Sequence, residues 1–379
     1  MEKEQAIVGA SAGDEPPGTI VECEAQGTWQ RGYSHSIKDI EELSKRIPIS
    51  DENKATLQKV SEEFHLRITD YYLSLIKDPS DAKDPIYMQC VPSPEEIKVS
   101  EHDSIDPLGE VETEATPFLV HRYPDRVLFL VTGKCFMYCR HCTRKRLWKC
   151  GTAEPGRADI DEAVAYIKKN REIREVVISG GDPLTLNTEK LRYILSSVSK
   201  VRTVDVMRVG TRTPVVFPER IDDELCDMLE GFEKLWMNVQ FNHSREITPQ
   251  AIRALRRLQK CGIPVSNQSV LLKGINDDPK VMKDLCQKLQ KVRVRPYYIF
   301  QCDPVVGAAH FRTSVFKGME IIEKMRGHTS GMCVPTFVVD GIDGRGKVPI
   351  MPNYITSVTE KSLILRNYEN EVFEYHNPA

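Results

Sequence analysis

The stretch Cys135-Phe-Met-Tyr-Cys139-Arg-His-Cys142 follows closely on the apolar run Val127-Leu-Phe-Leu-Val131 and offers three thiols within eight residues. Thiolates hold iron–sulfur clusters through their irons, so a four-iron cluster gripped by only three cysteines keeps one iron free for another ligand. The competing reading is a structural zinc knuckle completed by His141 or Cys150. It fits poorly, because His141 lies between two of the cysteines, where simultaneous tetrahedral ligation would be strained. Cys135, Cys139 and Cys142 are therefore read as the metal ligands of a 4Fe–4S cluster with one open corner.

Working outward, the 379 residues carry a net charge of −3, which gives no reason to expect a nucleic acid or an anionic membrane as partner. The first residues, Met1-Glu-Lys-Glu-Gln-Ala, lack the basic and apolar regions of a secretory signal, and no apolar run is long enough for a membrane span. A cytoplasmic location is expected. Eleven cysteines cannot all be paired within the chain, and a reducing compartment suits an oxygen-sensitive cluster. Cys23, Cys90, Cys226, Cys261, Cys286, Cys302 and Cys333 are read as small buried residues or inert surface thiols. In the basic run Arg144-Lys145-Arg146, Arg144 is read as functional and the other two as solvated.

Residues 1 to about 30, rich in Glu, Gly and Ala, lack hydrophobic periodicity and read as a poorly ordered lead-in. Ile40, Leu43, Ile47, Leu57, Val60, Phe64, Ile68, Tyr72 and Leu75 recur at helical spacing and predict an N-terminal helical segment. Residues 78 to 117, with several prolines and acidic residues, read as a long connector. Beyond it, β-rich runs at 126–132, 174–179, 203–210, 235–241, 263–270 and 293–300 alternate with amphipathic helices, the pattern of a parallel sheet. Asp159 with Glu162 suits a capping box, Thr248-Pro249 starts a helix that Gly262 stops, and Gly231 ends another whose apolar face holds Ile221, Leu225, Met228 and Leu229. A seventh run begins at Phe337, and the glycine-rich stretch after it reads as a flexible loop with Lys347 at its end.

The three-then-two cysteine spacing resembles that of the radical S-adenosylmethionine (SAM) enzymes, whose open iron chelates SAM. Residues 118 to 354 further resemble the lysine 2,3-aminomutase family. The motifs are His121-Arg122-Tyr-Pro-Asp-Arg126, the cysteine motif, Ser179-Gly180-Gly181-Asp182, Arg295-Pro-Tyr-Tyr-Ile-Phe-Gln-Cys-Asp303 and Gly346-Lys347 through Tyr354. The resemblance implies an α/β chain in three parts: an N-terminal extension and helical segment (1–117), a partial six-stranded β/α barrel (118–336), and a C-terminal segment (337–379) with the lysine that carries pyridoxal phosphate (PLP). It implies that Lys347 is catalytic and bonds PLP, that Arg122 and Arg126 clamp the PLP phosphate, that Ser179, Gly180, Gly181 and Asp182 lie along the methionine part of SAM, and that Gln268 binds its sugar. In such barrels the chemistry gathers at the C-terminal ends of the strands.

For the substrate, the resemblance assigns the carboxylate to Arg144 and the side-chain tip to Asp303 and Asp340. Two carboxylates converging in a dry pocket are costly unless a cation lies between them, so the substrate should end in a positive group. Lysine fits, arginine is the runner-up, and glutamate would bring a third negative charge. The implied reaction is an isomerisation moving the α-amino group of L-lysine to its β-carbon: a radical made from SAM removes a β-hydrogen, the nitrogen migrates while held on PLP, and the hydrogen returns. An electron donor such as flavodoxin or ferredoxin and a homo-oligomeric assembly are expected with it. The chain departs from the family pattern at several places. Asp278 stands where family members have a zinc-binding cysteine, and a cysteine-rich tail is missing before Ala379, so no structural zinc is expected. Gln240 replaces a histidine and Phe300 a tyrosine near strand ends, and Ile342-Asp343-Gly-Arg345 replaces a plainer glycine run.

Overall fold

The computed structural model describes residues 28–149 and 154–378. Most of the lead-in read over residues 1 to 30 lies outside that range, as do Cys23 and Cys150, while the helix Thr28–Ser34 takes its last three residues. Among the described residues ten strands form one sheet in sequence order: β1 Glu114–Thr116, β2 Leu119–Tyr123, β3 Arg126–Leu130, β4 Glu175–Ser179, β5 Val206–Thr211, β6 Leu235–Val239, β7 Val265–Leu271, β8 Arg295–Gln301, β9 Thr336–Gly341 and β10 Gly346–Pro349. Strands β3 to β9 run parallel to their neighbours, and antiparallel strands close each end. The order is linear, so the barrel is partial. The six predicted runs are β3 to β8, and the run beginning at Phe337 extends the same sheet as β9. A separate three-stranded sheet holds β11 Ile355–Val358, β12 Ser362–Arg366 and β13 Val372–His376.

The strands form because their side chains alternate between two environments. In β3, Val127 and Phe129 are buried while Leu128 and Leu130 are half-buried; β4 repeats this with Val176 and Ile178 against Val177 and Ser179. The buried set joins Ile160, Ala163, Ile167, Leu191, Ile194 and Leu195 of the flanking helices in one apolar core. Each such side chain contributes roughly 1.5–3 kcal/mol by leaving water. The half-buried set faces the lumen, and in the later strands it turns polar or aromatic, with Gln268, Tyr298 and Phe300.

Helix ends follow the sequence with one exception. Thr248 caps Pro249–Lys260 by accepting from Ala251 N at 3.1 Å, and Gly262 follows at φ +74°. Asp222 caps Asp223–Glu230, and Gly231 ends it. Asp159, however, is not an N-cap: the helix Arg157–Lys169 starts after Gly156, whose N–H donates to the Asp159 carboxylate at 2.7 Å. The cap position is Gly156, in extended backbone, and Asp159 satisfies its orphan donor from the third position of the first turn.

The N-terminal segment is helical as expected, in short pieces Ile40–Ser44, Asp51–Glu63 and Asp70–Leu73, with Ile40, Leu43, Leu57, Val60 and Tyr72 buried. The connector is not a bare linker. It holds the helices Tyr87–Cys90 and Pro94–Ile97 and buries Glu96 and Glu110 against the residues after β3. No helix among the described residues is long and apolar enough to cross a membrane.

Candidate active site at the barrel mouth

The segment after β3 is pinned from outside the barrel. Tyr138 N donates to Arg67 O at 3.0 Å and Arg140 N to Gln89 O at 2.9 Å. The fully buried Arg140 guanidinium forks onto Glu96 at 2.9 and 2.6 Å, and Lys145 Nζ reaches the same carboxylate at 2.8 Å and Gly307 O at 2.6 Å. Lys145 and Arg146 are thus not solvated, as their sequence suggested. Lys145 is buried in this triad, and Arg146 pairs with Glu110 at 2.7 Å and Asp106 at 3.3 Å. Buried cations persist because the connector supplies buried anions.

Cys135, Cys139 and Cys142 are free thiols in this segment. Burial, then Asp182 and the neighbouring thiols, pushes Cys135 well above its ordinary value, and burial with Cys139 pushes Cys142 up to about 11. A bound cation reverses that preference. The donors already suit thiolates: Arg212 Nη1 donates to Cys139 Sγ at 2.8 Å, and Arg144 N to Cys142 Sγ at 3.4 Å. No three His, Cys, Asp or Glu side chains among the described residues surround a single ion. That is compatible with a cluster, whose thiolates sit on separate irons.

The turn after β4 packs on this segment. Gly180 has φ +128°, and a Cβ there would lie 2.3 Å from Thr132 O; a Cβ at Gly181 would lie 2.2 Å from Lys134 O. Gly181 N and Asp182 N donate to those same two carbonyls at 2.6 and 2.7 Å. The Asp182 carboxylate turns to the end of β5, accepting from Thr211 Oγ1 at 2.7 Å and Arg212 N at 2.8 Å. Ser179 Oγ accepts from Arg144 Nη1 at 3.2 Å. Gly180→Ala must therefore shift backbone, at a cost on the order of 1–3 kcal/mol. We expect SAM affinity of the reconstituted protein, read by equilibrium dialysis, to fall about tenfold or more; unaltered affinity would show that this close approach does not matter.

The glycine-rich stretch forms a tight β9–β10 connection in which Asp343, Gly344 and Gly346 take positive φ. Lys347 is the second residue of β10, paired across the ladder with Asp340, rather than standing on a loop. Its Nζ lies 3.1 Å from Asp340 Oδ1 and 5.3 Å from the Phe300 ring centroid, and its N–H donates to Tyr123 Oη at 3.0 Å. Arg122 and Arg126 flank that tyrosine, 5.0 and 3.9 Å from its ring centroid. Arg122 also donates to Leu108 O at 2.9 Å and lies 3.8 Å from Asp340, while Arg126 pairs with Asp125 at 2.8 Å. The two arginines, Lys347 and Asp340 are thereby brought together around Tyr123.

Asp303, beyond β8, accepts from Thr143 Oγ1 at 2.5 Å. Burial chiefly, and Asp340 beside it, raise its carboxyl to about 6 against the opposing pull of Thr143, Lys347 and Arg144. Arg144 is held by Glu110, which accepts from Nε at 3.0 Å and Nη2 at 2.7 Å. Burial opposes ionisation of Glu110, but the Arg144 and Arg146 guanidiniums win and hold it at about 2. Gln268 is half-buried on the lumen face of β7, beside Tyr298 of β8, and its side-chain amide makes no hydrogen bond among the described residues. Gln240 meets His141 at 3.1 Å, next to the cysteines.

The C-terminal part, residues 322–379, matches the family model for lysine 2,3-aminomutase, and residues 129–286 match that for the radical SAM superfamily. An L-lysine 2,3-aminomutase of Clostridium subterminale is 47% identical over 350 residues, 92% of this chain and 84% of that protein. The chain belongs to the lysine 2,3-aminomutase family. It is a radical SAM isomerase, with a 4Fe–4S cluster and SAM as cofactors, in a family whose lysine aminomutases also use PLP. An L-lysine 2,3-aminomutase of Bacillus subtilis is 46% identical over 92% of this chain and 74% of its own length. A glutamate 2,3-aminomutase of Clostridioides difficile is 43% identical over 91% of this chain and 81% of its own.

Reading the sequence assigned no role to Glu110, Glu96, Tyr123, Thr143 and Glu246, and placed Arg212 only within the strand-end motif Gly210-Thr-Arg212. The signal for the anions was weak: several acidic residues in a connector look alike until a buried cation selects one. For Arg212 and Glu246 it was stronger, since both stand in motifs at strand ends, where a charged side chain between apolar runs needs a partner.

Proposed function

We propose that this enzyme converts L-lysine to β-lysine and that it depends on PLP carried by Lys347. The observation that supports the substrate best is the pairing of Asp303 and Asp340 near the Lys347 amine, with a carboxyl at Asp303 already forced up to about 6. A lysine side chain would bring its ammonium between these two acids, and a glutamate side chain would add a third negative charge to them. Arg144, oriented by Glu110, is suited to the substrate carboxylate, because its fork is held flat and its Nη1 edge faces Ser179. The relatives described above are lysine and glutamate aminomutases, so lysine rather than arginine is taken as the basic substrate.

When bound, the cluster and SAM supply a carbon radical for hydrogen abstraction, and PLP supplies a conjugated ring to hold the migrating nitrogen. The chain's own residues bind and exclude water. Arg122 and Arg126 offer guanidiniums to a phosphate beside Tyr123, and Gln268 offers a free amide at the lumen face. Ser179, Gly180, Gly181 and Asp182 shape the turn against which SAM's methionine end would lie. A flavodoxin or ferredoxin donor, a cytoplasmic setting and a homo-oligomer complete the proposal; the free state of the described cysteines fits a reducing compartment.

The test is anaerobic incubation of reconstituted protein with dithionite, SAM, PLP and L-lysine, L-arginine or L-glutamate in separate reactions, with chiral derivatisation and mass spectrometry. β-Lysine alone is expected. β-Glutamate or β-arginine as the main product would replace the substrate assignment.

A further inference from the structure

Arg212, just past β5, is 7% exposed and reaches four parts of the fold with one guanidinium. Besides Cys139 Sγ at 2.8 Å, it donates to Gln89 Oε1 at 2.5 Å, Glu246 Oε1 at 2.6 Å and Tyr72 Oη at 3.1 Å through Nη2, and to Gln240 O at 3.3 Å through Nε. Glu246 is fully buried and locked in turn by Asn242 N at 2.6 Å, His243 N at 2.9 Å and Tyr72 Oη at 2.6 Å. The cation is held from several directions, and its counter-charge is fixed on Nη2 while Nη1 faces the sulfur. Among the described residues no other side-chain cation donates a hydrogen bond to a cluster cysteine.

Reduction of a cluster adds one electron, which spreads onto the ligating sulfurs, so a fixed positive N–H at one sulfur favours the reduced form and a nearby anion disfavours it. We propose that Arg212 is a positioning residue that raises the reduction potential of the cluster through Cys139, with Glu246 set behind it to limit the rise. The proposal rests on the radical SAM cluster and is independent of which amino acid is the substrate.

Four anaerobically reconstituted proteins test it: the parent chain, Arg212→Met, Arg212→Lys and Glu246→Gln. Each is equilibrated with dithionite and redox mediators at one fixed potential near the parent midpoint, without SAM or substrate, and the ratio of reduced to oxidised cluster is read by electron paramagnetic resonance. In Arg212→Met the ratio should fall about tenfold or more, which for one electron is about 59 mV. Arg212→Lys, keeping the charge without the fork, should fall less. Glu246→Gln should move the ratio the opposite way, upward. A ratio unchanged in both Arg212→Met and Glu246→Gln would overturn the proposal, and so would a fall in both, which is what loosening a structural contact does. If Arg212→Met takes up no cluster, Glu246→Gln decides: a rise supports the proposal, and no change or a fall overturns it.

Discussion

Lys347→Ala is expected to abolish aminomutase turnover, by about a thousandfold or more (about 4 kcal/mol in barrier), while the iron–sulfur absorption and SAM binding persist. The hairpin carrying the lysine is held by four paired positions, from Gly346 with Gly341 to Pro349 with Val338, so removing one side chain leaves its register intact. Asp340 keeps Arg122 as a neighbour at 3.8 Å. The cluster ligands belong to the segment after β3 and are anchored through Arg140, Gln89 and Arg67, none of which hydrogen-bonds to β10 among the described residues. A companion measurement identifies the lysine directly: borohydride treatment of the PLP-loaded parent, followed by peptide mass spectrometry, should leave the PLP mass on Lys347. Retained turnover in the alanine variant would remove PLP from this residue.

Asp303→Ala should raise the KM for lysine on the order of a hundredfold, the usual size for losing one partner of a buried charge pair, with a smaller change in kcat. Burial lifts this carboxyl to about 6, so in the free enzyme it becomes an anion only as pH rises through about 6. A cationic substrate tip binds the anion, and lysine affinity should accordingly weaken as pH falls below about 6 and level off above it. The alanine variant should lose most of that acid limb. Were KM and its pH profile to stay as in the parent, Asp303 would have no part in holding the substrate.

The two carboxylates predicted to meet at the substrate tip differ in how the chain prepares them. Asp303 is oriented by Thr143, the residue directly after Cys142, so the cysteine segment also holds this carboxylate. Asp340 is tied to Lys347 both by strand pairing and by its Oδ1, 3.1 Å from the lysine Nζ. Their closeness could not be read from positions 303 and 340, because it depends on β8 and β9 lying side by side.

Much of the architecture was legible beforehand because its causes are local. β-rich runs alternating with amphipathic helices marked β3 to β8, Thr248-Pro249 and Gly262 bounded one helix, and the spacing of Cys135, Cys139 and Cys142 named the cluster. Local rules also erred where two were close in strength. Asp159 satisfies the start of its helix from the third position instead of the cap, and the glycines before Lys347 make a strand turn instead of a loose loop.

The amino-acid order alone determined which atoms are available for the chemistry: three thiols near the end of the first parallel strand, a lysine after a glycine-rich turn, and paired arginines and aspartates at strand ends. Tertiary structure alone decided which charges neutralise which. Glu96 finds Arg140 across 44 residues and Glu110 finds Arg144 across 34, turning a stretch that reads as linker into the wall behind the cluster cysteines. The reason is physical: hydrogen-bonding patterns and hydrophobic periods are set within a few residues, whereas a buried charge is tolerable only beside its opposite, and that neighbour exists only once the chain has closed on itself.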